Sequence, residues 1–161
     1  MGHFGSGWCW LILNTTTNNS ETKEEEKFTE KDLTNVKRYE EVEVGRLASF
    51  TYLRLLDTEE NTYTTSDTLK AELTIESERE VENPCMRFTF RGIGGYAVAF
   101  QLALNMEKIN VGTNKFIVEV PLEAFTQGNY DVMLILFEKN EFGASTEIDV
   151  AYAFSFKISD S

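Results

Sequence analysis

The sequence predicts an all-β protein: an antiparallel β-sandwich, jelly-roll or immunoglobulin-like, of about seven to eight strands. Apolar and polar residues alternate with period two along several segments between Leu69 and Phe156, which is typical of strands with one buried and one solvated face. Turn-forming Gly, Asn, Asp and Pro residues separate these segments at short intervals. No helical pattern lies between successive strands, and this argues against parallel βαβ architectures.

The alternation is clearest over Leu69–Ser77, where every second residue up to Ile75 is apolar. On the last apolar segment it predicts that Tyr152 and Phe154 face the core and that Asp149 faces solvent. The predicted strands, in chain order, are Arg46–Leu56, Leu69–Ser77, Cys85–Arg91, Tyr96–Ala103, Lys115–Val120, Tyr130–Phe137 and Ile148–Ile158.

Residues 1–44 differ in composition from the rest of the chain. Residues 1–13 are rich in Gly and Trp and predict an edge strand, whereas 14–27 are polar and acidic and predict a flexible segment. Thr29 followed by Asp32 resembles a helix-start capping arrangement, so we predict a short helix over 30–39. Composition changes near Gly45, and the sandwich domain is therefore predicted to span residues 45–161.

Charge and cysteine content exclude several classes of protein. The net charge of −12 argues against a nucleic-acid partner, which requires clustered Lys and Arg, and against docking on anionic lipid. The two cysteines form no CxxC pair, so no metal or redox signature is present, and a reducing compartment is favoured.

No group of residues predicts catalysis. Glu72, Glu76 and Glu78 are neighbours on a solvated strand face, whereas a general acid needs a buried or isolated carboxylate in a cleft. The acidic loop 57–61 lacks the spacing of an EF-hand calcium loop. We therefore predict no catalytic residue, no metal ligand and no cofactor.

The solvated strand faces instead carry candidate binding residues. Guanidinium and amide groups can hydrogen-bond to sugar hydroxyls, and an aromatic ring can stack on the C–H face of a sugar. An alternative stays open, in which Arg87 and Arg91 only pair across strands with the glutamates of Leu69–Ser77. The candidate carbohydrate-binding residues are Arg87, Arg91, Gln101, Asn105, Tyr52 and Arg54.

Several segments resemble one protein family. The stretch GRLASFTYLRLLDTEENTYTTSDTLKAELTIESEREVENPCMRFTFR, which begins at Gly45, resembles the opening of the C-terminal domain of polysaccharide ABC-transporter ATPases of the Wzt type. Three more segments are similar to the later strands of that domain: GGYAVAFQLALN, KFIVEVPLEAFTQGNYDVMLILFE and DVAYAFSFKI. The resemblance extends to Ile158. The chain contains no Walker A sequence Gly-Lys-Ser/Thr, so no ATPase is predicted in it.

The resemblance implies a non-catalytic, jelly-roll-like domain that binds one end of a lipid-linked O-antigen or related bacterial surface polysaccharide. It implies partners, the ABC-transporter ATPase and permease, and a cytoplasmic location at the inner face of the membrane. It also implies a homodimer that exchanges a terminal strand, and the long apolar closing strand Ile148–Ile158 at a chain end is consistent with such exchange. The alternative is a structural or protein-interaction sandwich that binds no glycan.

Overall fold

The computed structural model describes residues 10–15, 29–39, 46–92 and 100–159, and no helix occurs among them. These residues form ten strands. The strands are β1 (Trp10–Thr15), β2 (Glu30–Asp32), β3 (Ala48–Leu56), β4 (Thr62–Tyr63), β5 (Thr68–Ser77), β6 (Pro84–Gly92), β7 (Phe100–Asn105), β8 (Gly112–Pro121), β9 (Gly128–Lys139) and β10 (Ser145–Ile158).

The strands form two five-stranded sheets that pack face to face. The first sheet has the order β1-β8-β5-β3-β2, and the second has the order β4-β10-β9-β6-β7. Neighbouring strands are antiparallel, apart from the short parallel pairing of β4 with β10. The predicted antiparallel β-sandwich is confirmed, and β1 lies at a sheet edge as residues 1–13 suggested.

One continuous core fills the space between the sheets. The alternation of β5 is confirmed, because Leu73 and Ile75 are fully buried within it. From the second sheet, Phe90 packs edge-to-face on Phe125 at 5.1 Å and on Phe156 at 6.1 Å between ring centroids. Each large apolar side chain buried in this way stabilises the fold by about 1.5–3 kcal/mol.

The helix predicted over 30–39 is wrong. Glu30–Asp32 pairs with β3, and the Asp32 carboxylate then accepts a hydrogen bond from the Thr34 amide at 2.8 Å. Asp32 therefore closes a turn instead of capping a helix. The backbone of Lys37 and Tyr39 next bonds to the edge of β10. Partners in distant strands satisfy the amides that a helix would have paired internally.

The sandwich also begins earlier than predicted, because β1 and β2 precede Gly45 and both pair into the first sheet. Residues 16–28 and 40–45 lie outside the described residues, so the flexibility predicted for 14–27 stays a prediction beyond β1. The predicted strand Tyr96–Ala103 is described only from Phe100 onward, and its preceding glycine-rich turn also lies outside the described residues.

Strand β10 departs from simple alternation. Its register against β9 shifts between Glu147 and Asp149 and again between Tyr152 and Phe154, and each bulge changes which side of the sheet the subsequent residues occupy. Ala151 therefore lies in the main core. Asp149, predicted to face solvent, is fully buried.

Strand β10 is not an open edge over its length. It pairs with β9 on one side, while β4 and the backbone of Lys37 and Tyr39 occupy parts of its other side. The independent support that the sequence offered for strand exchange is therefore weaker than expected. The homodimer stays a prediction from the family resemblance.

A buried ion pair ties the segment after β2 to both sheets. The Arg38 side chain donates to both carboxylate oxygens of Asp149, with Nε–Oδ1 at 2.8 Å and Nη2–Oδ2 at 3.1 Å. Arg38 also donates to the carbonyls of Leu33 and Phe50 at 2.7 and 2.8 Å, while the Phe50 amide donates to Asp149 Oδ2 at 2.8 Å. This network fixes the position of residues 33–38 beside β10, and with it the path of the chain leaving β2.

Candidate ligand-binding site

A pocket of about 380 Å³ lies on the outer face of the second sheet, where the second bulge of β10 opens the strand. We call it the bulge pocket. Strands β6, β9 and β10 supply most of its wall, and β2 adds one residue from the edge of the first sheet. The lining residues are Lys31, Thr89, Arg91, Asp131, Val132, Met133, Tyr152, Phe154 and Ser155.

Strand register explains why residues so far apart in the chain meet here. Met133 of β9 is paired with Thr89 of β6 on one side and with Tyr152 of β10 on the other. Two residues along, Asp131 is paired in the same way with Arg91 and Ser155. Since residues two apart share a face of a strand, these two cross-strand rows lie side by side and form the floor of the pocket.

One of the two rows is polar. Asp131 accepts a hydrogen bond from the Ser155 hydroxyl at 2.8 Å and forms an ion pair with Arg91 at 3.6 Å. The Arg91 and Asp131 side chains are 52% and 43% exposed, so their mutual attraction contributes at most about 1 kcal/mol. The guanidinium keeps donors available to a ligand, because Arg has five N–H groups in a planar fork.

Thr89 lies in the other row and is only 6% exposed. Its hydroxyl oxygen is buried and makes no hydrogen bond to the described part of the chain. A buried hydroxyl that lacks a partner costs about 1–3 kcal/mol. Within the described residues the Thr89 hydroxyl has no partner, and a ligand group that bonded to it would recover that cost.

Aromatic side chains form the β10 side of the pocket. Tyr152 and Phe154 are both half-buried. Phe154 packs against the main core as the alternation predicted, whereas Tyr152 does not, which corrects the prediction that both face it. The Lys37 ammonium lies 5.3 Å from the centroid of the Tyr152 ring, a distance at which a cation is attracted to an aromatic face. The rings offer a ligand an apolar surface beside the polar row.

The structure does not bring the six predicted binding residues together. Arg91 lines the bulge pocket, and Arg87 lies on the same strand with its guanidinium 5.1 Å from the Phe137 ring centroid. Strand β7 pairs Gln101 with Thr89 and Asn105 with Cys85, at the edge of the same sheet.

Tyr52 and Arg54 lie on β3, in the other sheet. The Tyr52 hydroxyl donates to Glu30 at 2.7 Å, and Arg54 forms an ion pair with Glu72 at 3.4 Å. Burial, together with the bond to Glu30, raises the pKa of Tyr52 well above its usual range, so this phenol stays neutral. Both side chains therefore make their contacts within the first sheet, on the opposite side of the core from the bulge pocket.

The alternative pairing of Arg87 and Arg91 with the glutamates of β5 is wrong, since β5 and β6 belong to different sheets. Arg91 does pair across strands, but with Asp131 of β9. Sequence reasoning missed Lys31, which lay in a predicted helix. It also missed Asp131 and Ser155, because alternation within each strand does not show that β9 and β10 pair these two residues.

Two further features of the described residues bear on function. They contain no group of three or more His, Cys, Asp or Glu side chains placed to hold a metal ion. Within the same residues, no helix has the length and apolar character needed to cross a membrane.

The fold is similar to that of a solved structure, the crystal structure of the C-terminal domain of Wzt. The TM-score is 0.64 over 81% of this chain and 81% of that chain, at 11% sequence identity. A family 123 glycoside hydrolase from Clostridium perfringens is less similar, with a TM-score of 0.40, 13% identity, 65% of this chain and 24% of that chain. No known family model and no curated protein matches the sequence. The resemblance to the Wzt domain is confirmed for the fold.

Proposed function

We propose that this chain is a non-catalytic carbohydrate-binding domain that recognises a bacterial cell-surface polysaccharide through the bulge pocket. The observation that carries the proposal is the arrangement of the pocket walls. Half-buried Tyr152 and Phe154 stand beside the hydrogen-bonding row of Arg91, Asp131 and Ser155. Sugars present both an apolar C–H face and hydroxyl groups, and this pair of surfaces complements them.

The size of the pocket fits a terminal part of a polysaccharide. Its volume of about 380 Å³ is near the lower end of the roughly 300–1,000 Å³ that small-molecule sites occupy. A long segment of glycan would need an extended groove, whereas a chain end would fill a compact pocket.

The biological context we propose is polysaccharide export by an ABC transporter. The fold shared with the C-terminal domain of Wzt supports it, as do the segments between Gly45 and Ile158 that resemble that family. The ligand would be a lipid-linked, O-antigen-like polysaccharide, and the partners would be the transporter ATPase and permease. With a net charge of −12, the domain would be held at the inner face of the membrane by these partners rather than by anionic lipid. We propose the homodimer on the same grounds.

Titration with the surface polysaccharide of the encoding organism tests the proposal. We expect saturable heat in calorimetry and amide chemical-shift changes concentrated at Thr89, Met133 and Tyr152. An absence of heat and shifts at millimolar glycan would favour a structural or protein-interaction domain. The appearance of new reducing ends during incubation would contradict a non-catalytic role.

Replacing Thr89 with valine is expected to weaken glycan binding about fivefold while leaving the fold as stable or up to about 1 kcal/mol more stable. Valine has a similar size but lacks the hydroxyl that has no partner in the described chain. Calorimetry gives the affinity and urea denaturation gives the stability. Thr89→Ser keeps the hydroxyl and should keep most of the affinity. A clear loss of stability in Thr89→Val would mean that the hydroxyl is satisfied within the fold.

A further inference from the structure

The charge around the bulge pocket differs from that of the protein as a whole. The chain has a net charge of −12, yet the pocket wall contains two cations, Lys31 and Arg91, and one carboxylate, Asp131. Lys37 adds a further ammonium over the Tyr152 ring. On an acidic protein, a cationic pocket attracts a ligand anion and gives a neutral competitor no comparable attraction.

The outer face of the first sheet provides the contrast. Its central strands β5 and β8 carry Glu72, Glu76 and Glu119 against Lys70 and Lys115, as their register shows. Carboxylates therefore outnumber cations there, whereas cations outnumber carboxylates in the bulge pocket. The excess of positive charge is a local property of the pocket and does not reflect the composition of the chain.

Strand β2 explains how Lys31 reaches the pocket. Glu30 and Asp32 flank Lys31 and are paired with Arg54 and Tyr52 on the outer side of the first sheet. Lys31 is paired with Leu53, which is buried in the core, so the lysine points towards the second sheet. Because β2 is an edge strand, the side chain can pass the rim of the core and line the pocket beside β10.

The charge of Lys31 is not neutralised by a neighbouring carboxylate of the described chain. Its strand neighbours are engaged on the other face, Glu30 with the Tyr52 hydroxyl and Asp32 with the Thr34 amide. The pocket carboxylate, Asp131, forms its ion pair with Arg91 and accepts the Ser155 hydroxyl. The wall thus offers a cation to a ligand anion.

We infer that the bulge pocket selects glycans with an anionic group, a carboxylate or a phosphate, bound between Lys31 and Arg91. The sugar ring bearing that group packs against Tyr152 and Phe154, and one of its polar groups bonds to the Thr89 hydroxyl. That the described residues offer the Thr89 hydroxyl no hydrogen-bond partner is an observation independent of the charges. This inference rests on the proposed function and names the ligand class of the same site.

The test compares acidic and neutral sugars by calorimetry at low ionic strength, since salt screens exposed charges. The probes are trigalacturonic acid against galactotriose, mannose 6-phosphate against mannose, and inorganic phosphate alone. We expect an acidic probe to bind about tenfold more tightly than its neutral counterpart, as a charged hydrogen bond in a half-exposed site would provide. The two acidic probes distinguish a carboxylate from a phosphate ligand, and inorganic phosphate shows how much the anion contributes without the ring.

Lys31→Gln is expected to remove this preference, weakening the acidic probe about tenfold more than the neutral sugar. Lys115→Gln is the matched control, because it makes the same charge change on the outer face of the first sheet. Equal binding of acidic and neutral sugars, equal effects of the two variants, or no binding of either acidic probe would overturn the inference.

Titration with the organism's polysaccharide separates this inference from the proposed function. If wild type and Lys31→Gln bind that polysaccharide equally well, the proposed function stands and the anion selectivity fails. If neither binds it, the proposed function fails. Lys31-dependent binding of an acidic probe would then still support an anion site.

Discussion

Replacing Asp149 with alanine is expected to lower the free energy of unfolding by about 3–5 kcal/mol, because it leaves a buried guanidinium without its counter-ion. Arg38 is only 7% exposed, and Asp149 is fully buried. The substitution removes two hydrogen bonds from Arg38 and the acceptor of the Phe50 amide at 2.8 Å. Urea denaturation followed by circular dichroism measures the loss.

Two further variants make this prediction specific. Asp131→Ala breaks an exposed Arg–Asp pair and should cost less than about 1 kcal/mol. Arg46 Nε also lies 3.4 Å from Asp149 Oδ1, but its side chain is more exposed than that of Arg38. Arg38→Met combined with Asp149→Ala removes the two most deeply buried charges of this cluster, so its cost should be smaller than the sum of the two single losses. If Asp149→Ala were no more destabilising than Asp131→Ala, the buried pair would not be what holds the segment after β2.

The core of β5 could be predicted from sequence because its apolar residues alternate without interruption, and period two fixes their common face. Strand β10 could not be predicted in the same way. Its two bulges each change the face of the subsequent residues, and no local signal marks them. The burial of Asp149 could not be predicted either, because its partner Arg38 lies 111 residues away in the chain.

The site was predictable only in part. Arg91 was identified because it is a cation on the solvated side of an amphipathic strand, and it lines the bulge pocket. Tyr52 and Arg54 met the same criterion but lie in the other sheet, because alternation gives the direction of a side chain and not the sheet to which its strand belongs. The position of Lys31 at the pocket results from the pairing of β2 with β3. The sequence did not indicate this pairing, because the spacing of Thr29 and Asp32 predicted a helix start instead.

Replacing Tyr152 with alanine is expected to weaken glycan binding about thirtyfold, or about 2 kcal/mol, the size of loss seen when a central aromatic contact is removed. The ring is half-buried and lies next to both the Thr89–Met133 row and the bulge of β10. Its loss removes the apolar surface on which a sugar ring would pack and also the cation–π contact with Lys37. Calorimetry with the organism's polysaccharide measures the change in affinity.

The aromatic ring, rather than the phenol hydroxyl, should account for this loss. Tyr152→Phe keeps the ring and is expected to bind within about threefold of wild type, since a solvent-accessible hydroxyl adds little net energy. Tyr39→Ala is the control for truncation of an exposed aromatic side chain beside β10, because Tyr39 is 44% exposed and its amide bonds to Val150, yet it does not line the pocket. If Tyr152→Ala and Tyr39→Ala bound the polysaccharide equally well, the glycan would have to bind elsewhere on the protein.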